Sequence, residues 1–546
     1  MGIAMATSLE KGLSSKFKSS VNYIDGNSLK TADVFKLVNE GTEISISEET
    51  KARIMESREL LDELISKDRV IYGVNTSLGG FVNWLIPHEH AQELQDNLIS
   101  AVATNVGQYL EDRYVKASML ARLNSLSRGV SAISLENYNV LLDMYNKGVI
   151  PCIPSKGSLG ASGDLGPLAC IALVGTGKWK AKYQGKIIPG SEALKKAQIQ
   201  PMKLSYKEGL SLINGTSAMT GMAAILVEEA IHLVRSYDVI SCLSFEGLQV
   251  KKKPFNPVVH EHKRHRGQLV TAKNIWSLLS DSKMIVDEDI IEGKLQISRE
   301  STPTASDSPI EDAYSIRCTP HILGPIRDNL LSIKETIDNE LNSSSDNPLV
   351  LPEQKDVFHN GHFHGQYISF AMDQLSISLT TLSNLSDRRI DRFMDSSNSN
   401  KLPAFLCAEK PGLRLGLMGG QFMATSITAE NRSLCNPVST QTLTSTGDFQ
   451  DIVSLGLVAA RKANEILNNT FYILAFELMC GAQAAEIRGS ELLSSATKRA
   501  FDCVREAVPY LNTDVPLTDY LEELVRLLRS RKLLKEVVGV RGNLPL

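Results

Sequence analysis

The sequence predicts a mainly α-helical protein built as an elongated helical bundle, and two observations carry this prediction. Apolar residues recur at helical spacing over long stretches of the second half of the chain, near 217–250, 320–342, 363–393, 419–432 and 450–485. Leu and Ala are also spread over more than one face of these stretches, which indicates helices that pack on all sides, including against other subunits. Stretches of this length favour a helical bundle.

The first half of the chain predicts shorter elements. Ser47 is a suitable N-cap, and Glu48 and Glu49 follow where acidic side chains stabilise the positive end of a helix. The predicted elements are helices over 48–67, 89–106, 113–127 and 135–147, a short strand over 69–71 and a hairpin over 178–188. We therefore expect a disordered tail over 1–20, an N-terminal domain over 21–205, and a bundle core with C-terminal helices over 206–546.

Composition and charge exclude two classes of partner. Lys and Arg total 58 against 62 Asp and Glu, a formal net charge of −4, so the basic surface that nucleic acid requires is not expected. The longest apolar runs are shorter than the ~18 residues of a membrane helix, so no membrane is expected. The N-terminus lacks the apolar stretch of a signal peptide, and a cytoplasmic location is the default expectation.

Cysteine and histidine residues invite a test for metal binding. The eight cysteines include no C-x-x-C pair, which favours free thiols over disulfides or zinc. His260, His262 and His265 form one cluster, and a second runs from His359 to His364. Neither cluster has the H-E-x-x-H pattern of zinc enzymes. We predict that these histidines form structural hydrogen bonds and that the protein holds no metal.

Four glycines recur at every third position from Gly157 to Gly166, in the run GSLGASGDLG. A phosphate-binding loop is one interpretation, but the lysine of the Walker A motif and the G-x-G-x-x-G pattern are both missing. A purely structural loop is a second interpretation. The third is chemical: in a very tight bend, the Gly163 nitrogen can attack the Ala161 carbonyl, because glycine minimises the steric penalty there.

Closure of that ring, with loss of water that includes the Ser162 hydroxyl, leaves an exocyclic alkene. In Ala161-Ser162-Gly163 the chain resembles the histidine and phenylalanine ammonia-lyases and their aminomutase relatives. The resemblance implies their helical fold and a 4-methylidene-imidazol-5-one group (MIO) that forms from these three residues without an added cofactor. It extends in matching order from about Ile71 to near Arg488.

Two further residues match family positions on the prosthetic-group side of the site. Tyr72, which begins the glycine-rich run to Gly80, resembles the catalytic tyrosine. Because a phenol has an ordinary pKa of about 10, this role requires neighbouring charge or hydrogen bonds that stabilise the phenolate. Asn214 resembles the asparagine whose amide contacts the oxygen of the ring, an oxyanion-type role. A helix N-cap is a second interpretation of Asn214, and both can hold.

The resemblance also supplies residues for the substrate. Arg317 matches the arginine that binds the substrate carboxylate, a task suited to its planar guanidinium group. Tyr314 would support the prosthetic ring, Asn347 would contribute a carboxylate-side or scaffold contact, and Gln450 would place an amide near the ring.

The reaction type is predicted from the loop that follows Tyr72. Residues 75–81 read NTSLGGF where lyases of the family tend to have T-T-G-F-G, and this departure resembles bacterial phenylalanine and tyrosine aminomutases. Val102 stands with Ala101 where aromatic lyases often carry Phe-Leu or His-Leu, so no histidine is available there to hold a phenol. Phe422 and Phe449 match positions that line the ring pocket, which favours phenylalanine.

The resemblance therefore implies a phenylalanine 2,3-aminomutase. It would convert L-α-phenylalanine into (S)-β-phenylalanine for natural-product biosynthesis, by way of an amine bound to MIO and a trans-cinnamate intermediate. The resemblance also implies a homotetramer whose active sites gather residues from several subunits. Phenylalanine or tyrosine ammonia-lyase, tyrosine 2,3-aminomutase and an inactive scaffold on the same fold remain as alternatives. Histidine is a less favoured substrate, because its imidazole needs polar partners in the pocket.

Overall fold

The computed structural model describes residues 22–293, 303 and 309–546 of the chain. The predicted tail over 1–20 lies outside these residues. The helices, in chain order, are α1 (Thr31–Glu40), α2 (Glu48–Ser66), α3 (Ala91–Ala101), α4 (Asp112–Leu126), α5 (Leu135–Asn146), α6 (Leu165–Gly175), α7 (Gly190–Lys196), α8 (Glu208–Ile213), α9 (Ser217–Leu248), α10 (Pro257–Glu261), α11 (Arg266–Leu278), α12 (Glu288–Glu292), α13 (Tyr314–Arg317), α14 (Thr319–Leu341), α15 (Gln366–Met394), α16 (Met418–Leu434), α17 (Gly456–Arg488), α18 (Ser495–Ala507), α19 (Thr518–Arg529) and α20 (Lys532–Arg541).

The strands are short, with two to four residues each. They are β1 (Asn22–Tyr23), β2 (Ile44–Ser45), β3 (Val106–Tyr109), β4 (Ile150–Pro151), β5 (Pro154–Lys156), β6 (Lys180–Tyr183), β7 (Lys186–Pro189), β8 (Leu349–Leu351) and β9 (Asp356–Phe358). β1 pairs with β2 in parallel, whereas β3 with β5, β4 with β6, β6 with β7 and β8 with β9 pair antiparallel.

Long helices form the centre of the molecule, so the predicted helical bundle is confirmed. α9 has 32 residues, α15 has 29 and α17 has 33, and α9 is buried on nearly all sides. One continuous apolar core runs from Ile24 to Leu544. The stretch Glu208–Leu248 has the length and hydropathy of a membrane span, but its most apolar window is completely buried inside the protein.

The predicted hairpin over 178–188 is confirmed by β6 and β7, but the predicted strand over 69–71 is wrong. There, the Asn75 side chain accepts a hydrogen bond from Ile71 N at 2.7 Å and donates to Arg69 O at 2.8 Å. These two bonds occupy backbone groups that a strand would pair with a neighbour. Residues 69–71 form neither helix nor strand and lead into a turn over 72–75.

The predicted helix over 89–106 is also too long. α3 ends at Ala101, and the chain from Val106 forms β3 against β5. This pairing aligns Val106 with Lys156, directly before Gly157. The end of the helix is therefore set by a partner strand that is distant in sequence, and the pairing holds the start of the glycine run.

Close contact between α4 and α9 depends on Gly221. A Cβ at this position would lie 2.5 Å from the carbonyl carbon of Ala117, which is backbone and cannot move aside. We expect Gly221→Ala to lower the free energy of unfolding by about 1–3 kcal/mol, because overpacking forces the two helices apart. Urea unfolding measures this change.

Gly539→Ala is the matched control. Gly539 lies in α20, and a Cβ there would meet nothing within 4 Å. This substitution is expected to raise stability by about 0.4–1 kcal/mol, because alanine loses less backbone entropy on folding. Equal effects of the two substitutions would contradict the proposed role of the α4–α9 contact.

Candidate active site

The glycine run forms the loop between β5 and α6, and Ser162 at its centre is buried. Gly160 has φ +141°, and a Cβ there would lie 2.6 Å from Gln450 Oε1. Gly163 has φ +80°, and a Cβ there would lie 2.9 Å from Met219 Cε. Backbone conformation and close neighbours therefore both require glycine at these two positions.

Hydrogen bonds hold Ala161 on both sides of its peptide unit. Its N–H donates to Gln450 Oε1 at 2.8 Å. Its carbonyl oxygen accepts from Gly365 N at 3.1 Å and from Ser454 Oγ at 3.3 Å. The predicted closeness of Gln450 to the ring-forming residues is therefore present as a direct contact with Ala161.

The starts of the three longest described helices meet at this loop. Gly365 is the N-cap of α15, and Ser454 directly precedes Leu455, the N-cap of α17. Asp164, the N-cap of α6, accepts hydrogen bonds through Oδ2 from Ala218 N at 2.8 Å and Met219 N at 2.9 Å, at the start of α9. Helix N-termini carry partial positive charge, so the loop lies in a positive field.

Asp164 is fully buried, and its Oδ1 has no hydrogen-bond partner among the described residues. Burial raises the pKa of this carboxyl to about 8, although the N–H groups of Met219 and Ala218 oppose the shift. Asp164 therefore holds its proton near neutral pH.

Tyr72 contacts one residue of its own loop and one residue of a distant segment. Its hydroxyl accepts a hydrogen bond from Gly79 N at 3.2 Å, and its backbone N–H donates to His359 Nε2 at 3.2 Å. Burial raises the pKa of the Tyr72 phenol above its ordinary value, and only the bond from Gly79 opposes it. Within the described part of this chain, no charged side chain opposes this rise.

The Tyr72 loop is connected to Ala161 through the turn at 445–450. A Cβ on Gly79 would lie 3.1 Å from Thr446 Cγ2, and Gln450 Nε2 lies 3.4 Å from Thr446 Oγ1. Since Gln450 also binds Ala161 N, the three loops form one contiguous surface.

Asn214 lies at the C-terminal end of α8, so its interpretation as a helix N-cap is wrong; Thr216 precedes α9 instead. The Asn214 amide donates to Asp346 Oδ1 at 3.2 Å and to Asn347 O at 3.1 Å. Asp346 also forms a fully buried ion pair with Lys207. The structure therefore brings Asn214 and Asn347 together and fixes the orientation of the Asn214 amide.

Tyr314 and Arg317 lie in a different place. The guanidinium of Arg317 is 4.8 Å from the centre of the Tyr314 ring and forms an ion pair with Glu311 at 2.7 Å. These residues line a cavity of about 490 Å³ together with Arg392. No described hydrogen bond or ring contact joins this cavity to Ala161, Ser162 or Gly163.

The three apolar residues predicted to line the ring pocket come from three different elements of the chain. Val102 is the C-cap of α3 and half-buried. Phe422 on α16 is 66% exposed, and Phe449 in the 445–450 turn is 49% exposed. Phenyl side chains with this exposure leave apolar surface available for another molecule or subunit.

One histidine of each cluster, His260 and His359, forms the structural hydrogen bonds that the sequence predicts. His359 accepts from Tyr72 N, and His260 bonds through Nε2 to Pro254 O and through Nδ1 to Gln268. Over residues 22–293 and 309–546, no group of three His, Cys, Asp or Glu side chains is arranged to hold a metal ion. All eight cysteines are free thiols in the structure, and six of them are buried.

Sequence reasoning missed several residues of this site, namely Asp164, Asp346, His359, Gly365 and Ser454. Asp164 stands directly before a helical run, which is a local signal for an N-cap residue, although its side chain accepts hydrogen bonds from the start of α9 rather than from α6. Gly365 and Ser454 carry no such local signal, because they reach Ala161 only through the packing of α15 and α17.

Comparison with known proteins gives consistent matches over nearly the whole chain. A family model described as aromatic amino acid lyase matches residues 29–506. Tyrosine ammonia-lyase of Cupriavidus metallidurans is 40% identical over 94% of this chain and 97% of that protein.

Two solved structures are similar in fold as well as in sequence. The Pantoea agglomerans phenylalanine aminomutase has a TM-score of 0.90 and 53% identity over 94% of this chain and 100% of that chain. A tyrosine aminomutase from Streptomyces globisporus has a TM-score of 0.91 and 34% identity over 96% of this chain and 99% of that chain.

The proton on Asp164 gives a pH-dependent prediction. The pKa of this carboxyl is about 8 in the folded protein, but about 3.9 in an unfolded chain. At pH values between these two pKa values, the folded state binds more protons than the unfolded state. The free energy of unfolding of the wild type should therefore fall as pH rises. Asp164→Asn cannot titrate at this position. The difference in unfolding free energy between the wild type and this variant should therefore change by at most about 1.4 kcal/mol per pH unit.

Urea unfolding of both proteins at a series of pH values between about 4 and 8 measures this difference. Asn keeps an oxygen that can accept from Ala218 N and Met219 N, so the substitution preserves the cap on α9. A stability difference that is constant over this range would show that Asp164 stays ionised in the folded protein.

Proposed function

Because the chain belongs to the aromatic amino acid lyase family, we propose that it is a phenylalanine 2,3-aminomutase that converts L-α-phenylalanine into (S)-β-phenylalanine. trans-Cinnamate is the proposed intermediate, and natural-product biosynthesis is the proposed context. The observation that carries this proposal is the similarity to the Pantoea agglomerans phenylalanine aminomutase over nearly the full length of both chains.

The proposed prosthetic group is MIO, formed from Ala161, Ser162 and Gly163. The residues fit this group: Gly163 has the positive φ and absent side chain that a tight bend requires, and hydrogen bonds hold the Ala161 carbonyl that would be attacked. Once formed, the group supplies an electrophile to which the substrate amine adds, which makes that amine a better leaving group.

The proposed roles of the chain's own residues follow from their chemistry. The Tyr72 phenolate oxygen removes a β proton from the substrate, and Arg317 binds the substrate carboxylate through its guanidinium. The Asn214 amide would contact the ring oxygen, and Tyr314 would support the ring. Asn347 would contribute a carboxylate-side or scaffold contact, and Gln450 would place an amide near the ring. Since burial raises the pKa of Tyr72, the charge that favours its phenolate has to come from outside the described part of this chain.

A homotetramer with shared active sites is the proposed assembly. Its support is the separation of Arg317 from the Ala161 loop, together with exposed apolar side chains on the bundle. Tyr367, Phe370 and Ile377 are each about half or more exposed on one side of α15, and Phe422 is exposed on α16. Large exposed apolar surfaces of this kind mark subunit interfaces.

The proposed substrate is phenylalanine, because Val102, Phe422 and Phe449 offer an apolar slot without a partner for a phenol hydroxyl. An ammonia-lyase is the second candidate, and the similarity to a tyrosine ammonia-lyase favours it. The two reactions share the elimination step. A mutase results when the arylacrylate stays bound until the amine returns to its β carbon, and a lyase results when it leaves first.

Product analysis tests the proposed reaction. The protein is incubated separately with L-phenylalanine and L-tyrosine, and chiral chromatography quantifies β-amino acids and arylacrylates. We expect (S)-β-phenylalanine as the main product, with phenylalanine used faster than tyrosine. Ser162→Ala, which cannot form the alkene, should reduce turnover to background. Release of arylacrylate alone, from either substrate, would contradict the mutase assignment and support the lyase.

Co-expression of two inactive variants tests the shared site. Tyr72→Phe and Arg317→Ala should each lose at least about 100-fold in turnover, because one lacks the base and the other lacks the carboxylate partner. Mixed tetramers should regain activity if one subunit supplies Tyr72 and another supplies Arg317.

The matched control pairs Tyr72→Phe with Ser162→Ala. These positions belong to contiguous loops of one chain, so their defects should not complement each other. Sedimentation of the mixtures shows whether tetramers form. Failure of the first pair to recover activity, with tetramers present, would exclude a site divided between Tyr72 and Arg317.

A further inference from the structure

The Ala161 carbonyl oxygen is held by two hydrogen-bond donors from distant parts of the chain. Gly365 N lies 3.1 Å away and Ser454 Oγ lies 3.3 Å away. Ser454 is buried, and the described hydrogen bond of its hydroxyl goes to this oxygen. Two donors converging on one carbonyl oxygen form the arrangement that stabilises negative charge on oxygen in acyl chemistry.

We propose that Ser454 and the N–H of Gly365 form an oxyanion hole for the closure of the Ala161-Ser162-Gly163 ring. The proposal rests on the proposed prosthetic group and extends it, since it concerns how the chain makes that group rather than how the group is used. Ser454 is then a maturation residue, distinct from the residues assigned to the substrate reaction.

The bonds that form and break explain why these donors matter. The Gly163 nitrogen attacks the Ala161 carbonyl carbon, and the π electron pair moves onto the Ala161 oxygen, where Ser454 and Gly365 donate to it. The Gly163 N–H proton ends on that oxygen. The resulting hydroxyl leaves with the Ser162 N–H proton as one water, which forms a C=N bond. Ser162 loses its Oγ hydroxyl and its Cα proton as the second water.

Ring formation removes the Ala161 oxygen, and this loss distinguishes an oxyanion hole from a hydrogen bond that only stabilises the fold. That oxygen departs with the first water, so the two donors lose their acceptor once the ring is complete. A hydrogen bond that served only the stability of the mature enzyme would not be directed at an atom that maturation removes. The contact therefore serves the precursor chain.

Two glycines beside Ser454 leave space for its hydroxyl to reach the Ala161 carbonyl. A Cβ on Gly365 would lie 2.9 Å from Ser454 Oγ, and a Cβ on Gly163 would lie 3.5 Å from it. The missing side chains of these two glycines leave room for the hydroxyl beside the attacked carbonyl. Gln450, which accepts from Ala161 N at 2.8 Å, fixes the peptide unit on the other side.

The rate of water loss during maturation tests the proposal. Cell-free translation is quenched in acid at successive times, and intact mass separates the chain that has lost two waters from the unmodified chain. Loss of one donor from an oxyanion hole reduces rates by about 10²–10³-fold, so Ser454→Ala should slow maturation by about 100-fold or more. Ser454→Thr and Ser454→Val form a matched pair of equal shape, and only the hydroxyl-bearing Thr should mature near the wild-type rate.

Ser369→Ala is the control for removal of a buried hydroxyl. Ser369 is buried in α15, and its Oγ has no hydrogen-bond partner among the described residues, so its variant should mature at the wild-type rate. Activity per matured chain adds a second readout. Because the mature ring no longer contains the Ala161 oxygen, Ser454→Ala should slow maturation far more than it slows phenylalanine turnover per matured chain.

The results distinguish failure of the proposed Ser454 role from failure of the proposed prosthetic group. Maturation of Ser454→Ala and Ser454→Val at the wild-type rate would overturn the role of Ser454 and leave the proposed function intact. A wild-type chain that never loses two waters would overturn the proposed prosthetic group itself. If Ser454→Ala does not fold, as judged by circular dichroism, the difference between Thr and Val decides the matter.

Discussion

The site depends on one constraint: the N-terminal ends of α9, α15 and α17 meet at the short loop that carries Ala161, Ser162 and Gly163. Helices that each span about thirty residues can converge this closely only if the loop between them is thin. Gly160 and Gly163 leave the room for this convergence, because a Cβ at either position would lie under 3.0 Å from a neighbouring atom. The loop is consequently surrounded by backbone N–H groups that prefer negative charge or a carbonyl oxygen as their partner.

Features set by local pattern could be predicted from the sequence, whereas features set by distant partners could not. The long helices and the β6–β7 hairpin follow from apolar periodicity and turn residues, and both are confirmed. The strand over 69–71 was wrong because one side chain, Asn75, takes the backbone partners that a strand needs. α3 ends early because β3 pairs with β5, some fifty residues further along the chain.

The same distinction applies to the site. Ala161, Ser162 and Gly163 are adjacent in sequence, so the chemistry proposed for them could be inferred from the motif. Gly365 and Ser454 are hundreds of residues away, and their contact with Ala161 exists only because α15 and α17 pack against α9. The N-cap interpretation of Asn214 failed for a related reason. Its amide is held by Asp346 and Asn347 from another segment, whereas Thr216 takes the position before α9.

The ring-forming loop and the predicted substrate-binding residues differ in how complete their contacts are within one chain. The Ala161 carbonyl, the Asn214 amide and the Tyr72 hydroxyl each have hydrogen-bond partners within one folded chain. Arg317 and Tyr314 line a cavity elsewhere, and Phe422 is exposed. Under the proposed assembly, ring closure requires only that one chain folds, whereas substrate binding requires that chains meet. Burial raises the pKa of the Tyr72 phenol within one chain, so the proposed role of Tyr72 as the base also requires positive charge that assembly or substrate brings to it.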